Sequence, residues 1–338
     1  IGLVILYSTS AYNGQVKFHD SFYYLKKQAF ATVLGIVLML FVAGMDYHIW
    51  QRLAIFGYLA AVALSVAVML FGREINGSKR WLALGPFSFQ PSEFAKVALI
   101  LFLADLVTKN VKTIGKMWTL CRIMFWILPI VGLVGASNLS TAIIILGIGV
   151  ILIFVASPKY AQFALMGLAG ACFMGLFLAL ESYRLERLAI WRNPEKYEKG
   201  YQTLQGLYAI GSGGVFGVGL GNSVQKLGFV PEAQNDMIFS IICEELGLAG
   251  AGIIVFLFLL LIWRFFMIAS GSRDLFGALI ATGAMAHMMI QVILNIAVVT
   301  NTIPNTGITL PFISYGGTSV MFLLIEMGLV LSVSQVVD

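Results

Sequence analysis

The residues best able to do chemistry in this chain lie in one short run, Pro231-Glu232-Ala233-Gln234-Asn235-Asp236, followed by Glu244 and Glu245 inside an otherwise apolar stretch. Carboxylates entering such a stretch are costly and are kept for a pathway, a pair or a reaction. Asp236 could act as a general base, or it could complement the dipole at the start of the helix that follows. Glu244 and Glu245 could equally cap or pair at an interface. A second cluster reads Asn76-Gly77-Ser78-Lys79-Arg80-Trp81, then Gln90-Pro91-Ser92-Glu93-Phe94-Ala95-Lys96. Pro91 and Ser92 make a good helix start with Glu93 in its first turn. Glu93 and Lys96, three apart on one helical face, can pair with each other. The alternative is a polar funnel for an anionic substrate, with Arg80 and Lys96 contacting phosphate.

Two further segments bear on the same chemistry. The Gly-rich run from Gly211 to Lys226 lacks the Gly-Lys-Ser/Thr ending of a phosphate loop, so it predicts flexible or closely packed backbone. The segment from Pro304 to Ser319 breaks a helix at membrane depth. Irregular backbone there must be buried in protein or line a cavity, so it is expected beside the Asp236 loop. Glu326 lies inside the last apolar span, where His287 or Gln291 could satisfy it.

Composition decides what must position these groups. Of 338 residues, 59% are apolar and 11% charged, a balance that fits a polytopic membrane protein. Three cysteines and three histidines share no segment, so no zinc or redox motif is present. The net charge of +5 is spread over short loops without a nucleic-acid-binding pattern, which leaves anionic head groups or phosphates as partners. Charge-free stretches predict ten helical spans. They cover 1–12, read as a truncated first span, then 28–45, 53–72, about 89–107 and 123–158. The last divides at Ser137-Asn138-Leu139-Ser140 into a hairpin. Spans over 160–180, 238–263 and two pieces of 275–325 complete the set. By parity the irregular loops, including a large one over 181–237 between the seventh and eighth spans, share one face. Positive-inside counting does not say which side of the membrane that face meets. The charged and aromatic stretch 181–199 reads as an interfacial amphipathic helix.

Taken in order, Gln90-Pro-Ser-Glu93, Gly219-Leu-Gly-Asn-Ser-Val-Gln-Lys226, Pro231-Glu-Ala-Gln-Asn-Asp236, Glu244-Glu-Leu-Gly247 and Leu310-Pro-Phe-Ile-Ser-Tyr-Gly-Gly317 resemble the SEDS family over the whole chain. Asn76-Gly-Ser-Lys-Arg-Trp81 and Tyr201-Gln202 bring it nearest the FtsW/SpoVE branch, with RodA a near neighbour. The chain departs from the family pattern at Asn138 to Thr141 and at Gln234 and Asn235.

The resemblance implies an all-α, ten-span peptidoglycan glycosyltransferase in the bacterial cytoplasmic membrane, with 1–338 a single transmembrane domain and the irregular loops outside. It implies polymerisation of lipid II with a class B penicillin-binding protein as partner. The family's essential loop acid falls on Asp236, its helix-lip residues on Glu93 and Lys96, and its basic loop residue on Arg80. Trp81, Ser92, Lys226, Glu232 and Glu244 join these as candidate substrate contacts. A divalent cation would ride on the substrate pyrophosphate, with no organic cofactor. Two other readings stay open on the residues alone: a lipid II flippase and a non-catalytic division scaffold.

Overall fold

The computed structural model describes residues 1–337 apart from 76–77, 85–86, 160, 165–166 and 168–188. Its helices are α1 (Gly2–Phe18), α2 (Tyr23–Ala43), α3 (His48–Phe71), α4 (Pro91–Asn110), α5 (Met117–Ser137), α6 (Leu139–Ala156), α7 (Tyr201–Gly213), α8 (Ile238–Gly271), α9 (Leu275–Val299) and α10 (Gly317–Ser334). Seven of them, α2, α3, α5, α6, α8, α9 and α10, are long and apolar enough to cross a membrane, which makes the chain a multi-pass membrane protein. The 17-residue α1 is shorter, and α4 carries Glu93, Lys96, Asp105 and Lys109 along its length. Ten spans are therefore not reached among the described residues. The span expected over 160–180 and the loop's beginning at 181–188 lie largely outside them, as does the Asn76-Gly77 pair.

Two features differ from an all-α expectation of helices and plain loops. The stretch 73–89 forms a small antiparallel sheet of β1 (Arg73–Ile75), β2 (Ser78–Leu84) and β3 (Phe87–Phe89) in the order β1-β2-β3. Its signal was present as Asn76-Gly77 between two short runs, the commonest two-residue hairpin link. The 181–237 loop is not uniformly irregular either, because it contains α7 and two short 3-10 turns at Pro194–Lys196 and Glu198–Gly200.

The chain divides into two compact units. The first comprises Ile1–Phe30, Phe163–Leu260 and Gln291–Gly316; the second comprises Ala31–Gln162, Leu261–Ile290 and Gly317–Asp338. In the second unit, Tyr58, Phe102 and Trp126 form an aromatic cluster joining α3, α4 and α5. The tyrosine hydroxyl donates to the Trp126 carbonyl at 2.7 Å. The α5–α6 hairpin turns on Asn138, whose side chain accepts from the Thr141 N–H at 3.2 Å and so caps α6. The polar residues at 137–140 thus turn the chain as their sequence predicts.

The first unit is organised around a break in α8. Gly247 takes φ 66° and ψ −172° inside the helix, which strips the neighbouring peptide groups of their i→i−4 partners. The Gly-rich segment after α7 replaces them. Val218 and Gly219 N–H groups donate to the Glu244 and Glu245 carbonyls at 2.9 and 3.0 Å, while Leu248 and Ala249 N–H groups donate to Gly214 and Val215 carbonyls at 3.0 Å each. At 1.5 Å per residue, the break lies roughly 9–14 Å along α8 from Ile238. No free backbone group is tolerated at such a depth in a bilayer.

This exchange requires backbone to approach backbone. A Cβ on Gly217 (φ +78°) would stand 2.2 Å from the Glu245 carbonyl oxygen, and one on Gly247 would stand 2.4 Å from the Gly217 nitrogen. Gly217→Ala should therefore lower stability by about 2–4 kcal/mol, read as a fall in the melting midpoint of the detergent-purified protein. Gly252→Ala, on the same helix with open space around its Cβ position, should leave it unchanged or raise it slightly.

Candidate functional site

Asp236 lies two residues before α8 and is 9% exposed. Its surroundings are set by hydrogen bonds between the 231–237 turn and the broken segment 304–316. The Ser314 hydroxyl donates to the Asn235 carbonyl at 2.6 Å, and the Tyr315 N–H donates to the Gln234 carbonyl at 2.8 Å. Asn295 on α9 donates its amide to the carbonyls of both Asp236 and Ile308, at 2.9 and 2.7 Å. Asn13 of α1 donates to the Gln234 side chain at 2.9 Å. Gln28 donates to the Ser314 carbonyl and accepts from the Gly316 N–H. The helix-breaking segment thus packs beside the Asp236 loop, as its prolines and the membrane constraint predict.

With its backbone so fixed, the Asp236 carboxylate has one side-chain donor, Gln202 on α7, at 3.4 Å. Gln202 is itself held by Asn305 at 3.2 Å. Among the described residues no lysine or arginine forms an ion pair with Asp236. Burial is the main force on its carboxyl, and the Glu232 charge adds to it. Gln202 and the backbone N–H groups of Asp236 and Met237 oppose, and the balance pushes it up to about 7. Glu232 occupies left-handed backbone at φ 55°, and Phe312 in the facing segment does so at φ 60°. Such conformations cluster where function overrides local preference. Asn235 donates to the Glu232 carboxylate and fixes its direction.

Lys226 and Glu244 have different surroundings. The Lys226 ammonium meets the Glu245 carboxylate at 2.6 Å and Ser8 at 3.1 Å, and the Ser8 hydroxyl donates in turn to Glu245. Glu244 accepts from the Ser223 hydroxyl and from the Val224 N–H at 3.0 Å. Both side chains therefore bind the Gly-rich segment to α8, and Lys226 adds α1. An apolar cavity of about 460 Å³ borders this bridge through Glu245, with Phe216, Leu220, Leu246 and Ile254 among its walls.

The second unit holds the remaining candidates. Arg80 on β2 donates from Nε to the Ser137 carbonyl at 3.0 Å, placing a cation at the C-terminus of α5. Arg80 and Ser92 line one narrow crevice with Ser65, Pro91, Ser137 and Asn138. Ser92 accepts from Gln90 at 3.1 Å, and Trp81 is half-buried on the same strand. Glu93 and Lys96 form an ion pair at 3.0 Å with side chains 8% and 2% exposed. For Lys96 to touch a phosphate, that pair must part. Among the described residues no three His, Cys, Asp or Glu side chains cluster to hold a metal ion.

Sequence reasoning passed over Asn295, Gln28 and Ser314, which fix the Asp236 loop. Asn295 and Gln28 are buried amides within membrane-spanning helices, positions that call for an internal hydrogen-bond partner. Removing one partner of the buried Lys226–Glu245 bridge strands the other charge. Lys226→Ala should cost about 3–5 kcal/mol, and the double variant with Glu245→Gln should recover part of it, both read from thermal unfolding.

Against known proteins, a family model described as cell cycle protein, covering FtsW, RodA and SpoVE, matches residues 1–338. The chain is 40% identical to stage V sporulation protein E of Bacillus subtilis (strain 168), over 99% of this chain and 93% of that protein. It is 34% identical to a probable peptidoglycan glycosyltransferase FtsW of Geobacter sp. (strain M18), over 98% and 92%. Among solved structures, it aligns at TM-score 0.83 and 29% identity with a chain from work on structural coordination of polymerization and crosslinking by a peptidoglycan synthase complex, covering 98% of this chain and 96% of that one. It aligns at TM-score 0.70 and 28% identity with the rod shape determining protein RodA of Thermus thermophilus, covering 98% and 94%.

Proposed function

Because the chain belongs to the cell cycle protein family of FtsW, RodA and SpoVE, we propose that it is a peptidoglycan glycosyltransferase of the bacterial cytoplasmic membrane, polymerising lipid II at the outer face with Asp236 as general base. The observation that carries this reading is a buried loop carboxylate with no cationic partner among the described residues and a proton affinity near neutrality. Joining sugars requires the 4-hydroxyl of an acceptor GlcNAc to lose its proton as it attacks the anomeric carbon of the donor. A polyprenyl pyrophosphate leaves from the opposite face. An inverting transfer of this kind needs one base. An ordinary aspartate, at about 4, is a weak base for an alcohol. Burial and the Glu232 charge bring Asp236 closer to the range in which a base is both ionised at working pH and able to take a proton.

The other residues take supporting roles. Arg80, beside Ser92 and Trp81, offsets the charge that develops on the pyrophosphate, and Lys96 joins it when released from Glu93. Lys226 and Glu244 hold the loop that leads into Glu232 and Asp236. A divalent cation would ride on the substrate pyrophosphate, since no three His, Cys, Asp or Glu side chains cluster among the described residues. A class B penicillin-binding protein is the partner we assign, supported by the similar chain from a peptidoglycan synthase complex.

Incubated with that partner and labelled lipid II, the purified protein should make glycan strands, and Asp236→Asn should slow them by about 10²–10⁴-fold. An Asn variant that polymerises normally would rule out the base. A wild-type protein that makes no strands but moves lipid II across vesicles would be a carrier instead. Wild-type rate should rise with pH to a midpoint of about 7. Stability should move the other way. The folded-state proton affinity of Asp236 lies above its ordinary value of 3.8, so its stabilising effect is complete below that value and is lost as pH rises through about 7. At pH 8 the inactive Asp236→Asn protein should thus melt higher than wild type, and the difference should vanish near pH 4.

A further inference from the structure

The second unit buries another pair of ionisable groups that this mechanism does not use. His287 on α9 and Glu326 on α10 meet at 2.7 Å, Nδ1 to Oε2, with both side chains 2% exposed. His287 also lies within electrostatic reach of Glu93, the partner of Lys96. The groups thus run Lys96, Glu93, His287, Glu326 across three helices. The Glu93 carboxylate also accepts from Ser319 on α10, while Glu326 Oε1 has no hydrogen-bond partner among the described residues. Among the described residues the carboxylates facing the imidazole include Glu326 on α10 and Glu93 on α4.

Lys96 can serve an anionic substrate only by leaving Glu93, and an isolated carboxylate in this interior would be costly. His287 lies within electrostatic reach of Glu93, and Glu326 fixes its ring through Nδ1. We propose that His287 and Glu326 are positioning residues that keep Glu93 compensated when Lys96 turns to a pyrophosphate. This inference rests on the reading of Lys96 as an anion contact.

The test uses the full chain in nanodiscs with inorganic pyrophosphate as the probe, and reads modification of Lys96 by an amine-reactive reagent by mass spectrometry. This readout is independent of polymerisation, so it can fail while the glycosyltransferase reading stands. Pyrophosphate should raise Lys96 labelling severalfold in wild type and leave it unchanged in Glu326→Gln and His287→Asn, while Glu326→Asp should restore part of the response. In a Glu93→Gln background, where no charge is left behind, adding Glu326→Gln should have no further effect on labelling. In the polymerisation assay Glu326→Gln should raise KM for lipid II about tenfold with a smaller change in kcat. Equal labelling responses in wild type and both single variants would overturn the proposal. So would an additive effect of Glu326→Gln in the Glu93→Gln background. If Glu326→Gln fails to fold, His287→Asn and the Glu93→Gln comparison decide the matter.

Discussion

A backbone peptide group at membrane depth must find its partner inside the protein, and much of the first unit follows from that constraint. Once Gly247 breaks α8, two carbonyls and two N–H groups need partners, and the Gly-rich segment supplies them. The segment can do so only by lying against the helix with no side chain between, which accounts for glycine at 217 and 247. That apposition brings Ser223 and Lys226 to Glu244 and Glu245. Glu244 and Glu245, which the sequence allows to pair at an interface, join loop, α8 and α1. The 231–237 turn then enters α8 from a fixed direction, so the position of Asp236 depends on the same contact.

The facing segment obeys the same rule by other means. Between α9 and α10 the chain from 300 to 316 runs without regular structure, and its peptide groups are met by side chains: Asn295 to Ile308, Gln291 to Thr309, Gln28 to Ser314 and Gly316. Asn295, which serves this segment, also reaches the Asp236 carbonyl, so satisfying one irregular segment orients the other.

How much of this could be read beforehand depends on which physical signal each feature leaves. The spans were legible because charge is excluded from hydrocarbon. The stretch 53–72 anticipates α3 at His48–Phe71, and the polar residues at 137–140 mark the α5–α6 turn. The helices begin earlier than the apolar runs, at Tyr23 where the run starts at 28, because helical hydrogen bonding continues through exposed Lys26 and Lys27 where hydrophobicity does not. The 73–89 sheet was missed because two of its three strands have only three residues and show almost no periodicity, and Asn76-Gly77 was read as part of a polar cluster and not as a hairpin link. Asp236 and the packing of the 304–316 segment beside it were legible as a costly acid and a costly break. The partners Asn295 and Gln28 were not, since a single amide in an apolar helix does not say what it will meet. His287 was anticipated as one of two partners for Glu326, and the choice between His287 and Gln291 needed the three-dimensional arrangement.

Asp236 differs from the other buried carboxylates in its partners, and the contrast bears on the chemistry. In the second unit Glu93 is paired with Lys96, and Glu326 meets His287. In the first, Glu245 has Lys226, but among the described residues Asp236 meets an amide, backbone N–H groups and the nearby negative charge of Glu232. A carboxylate tied to a lysine is held in its ionised form too firmly to take up a proton. One that is buried without a cation is unstable as an ion and gains by accepting a proton. Without a cationic partner among the described residues, Asp236 sacrifices folding stability at neutral pH, and in the proposed mechanism the same unfavourable ionisation favours proton transfer from a sugar hydroxyl. The dense hydrogen bonding of its backbone is what allows the side chain to remain so poorly satisfied.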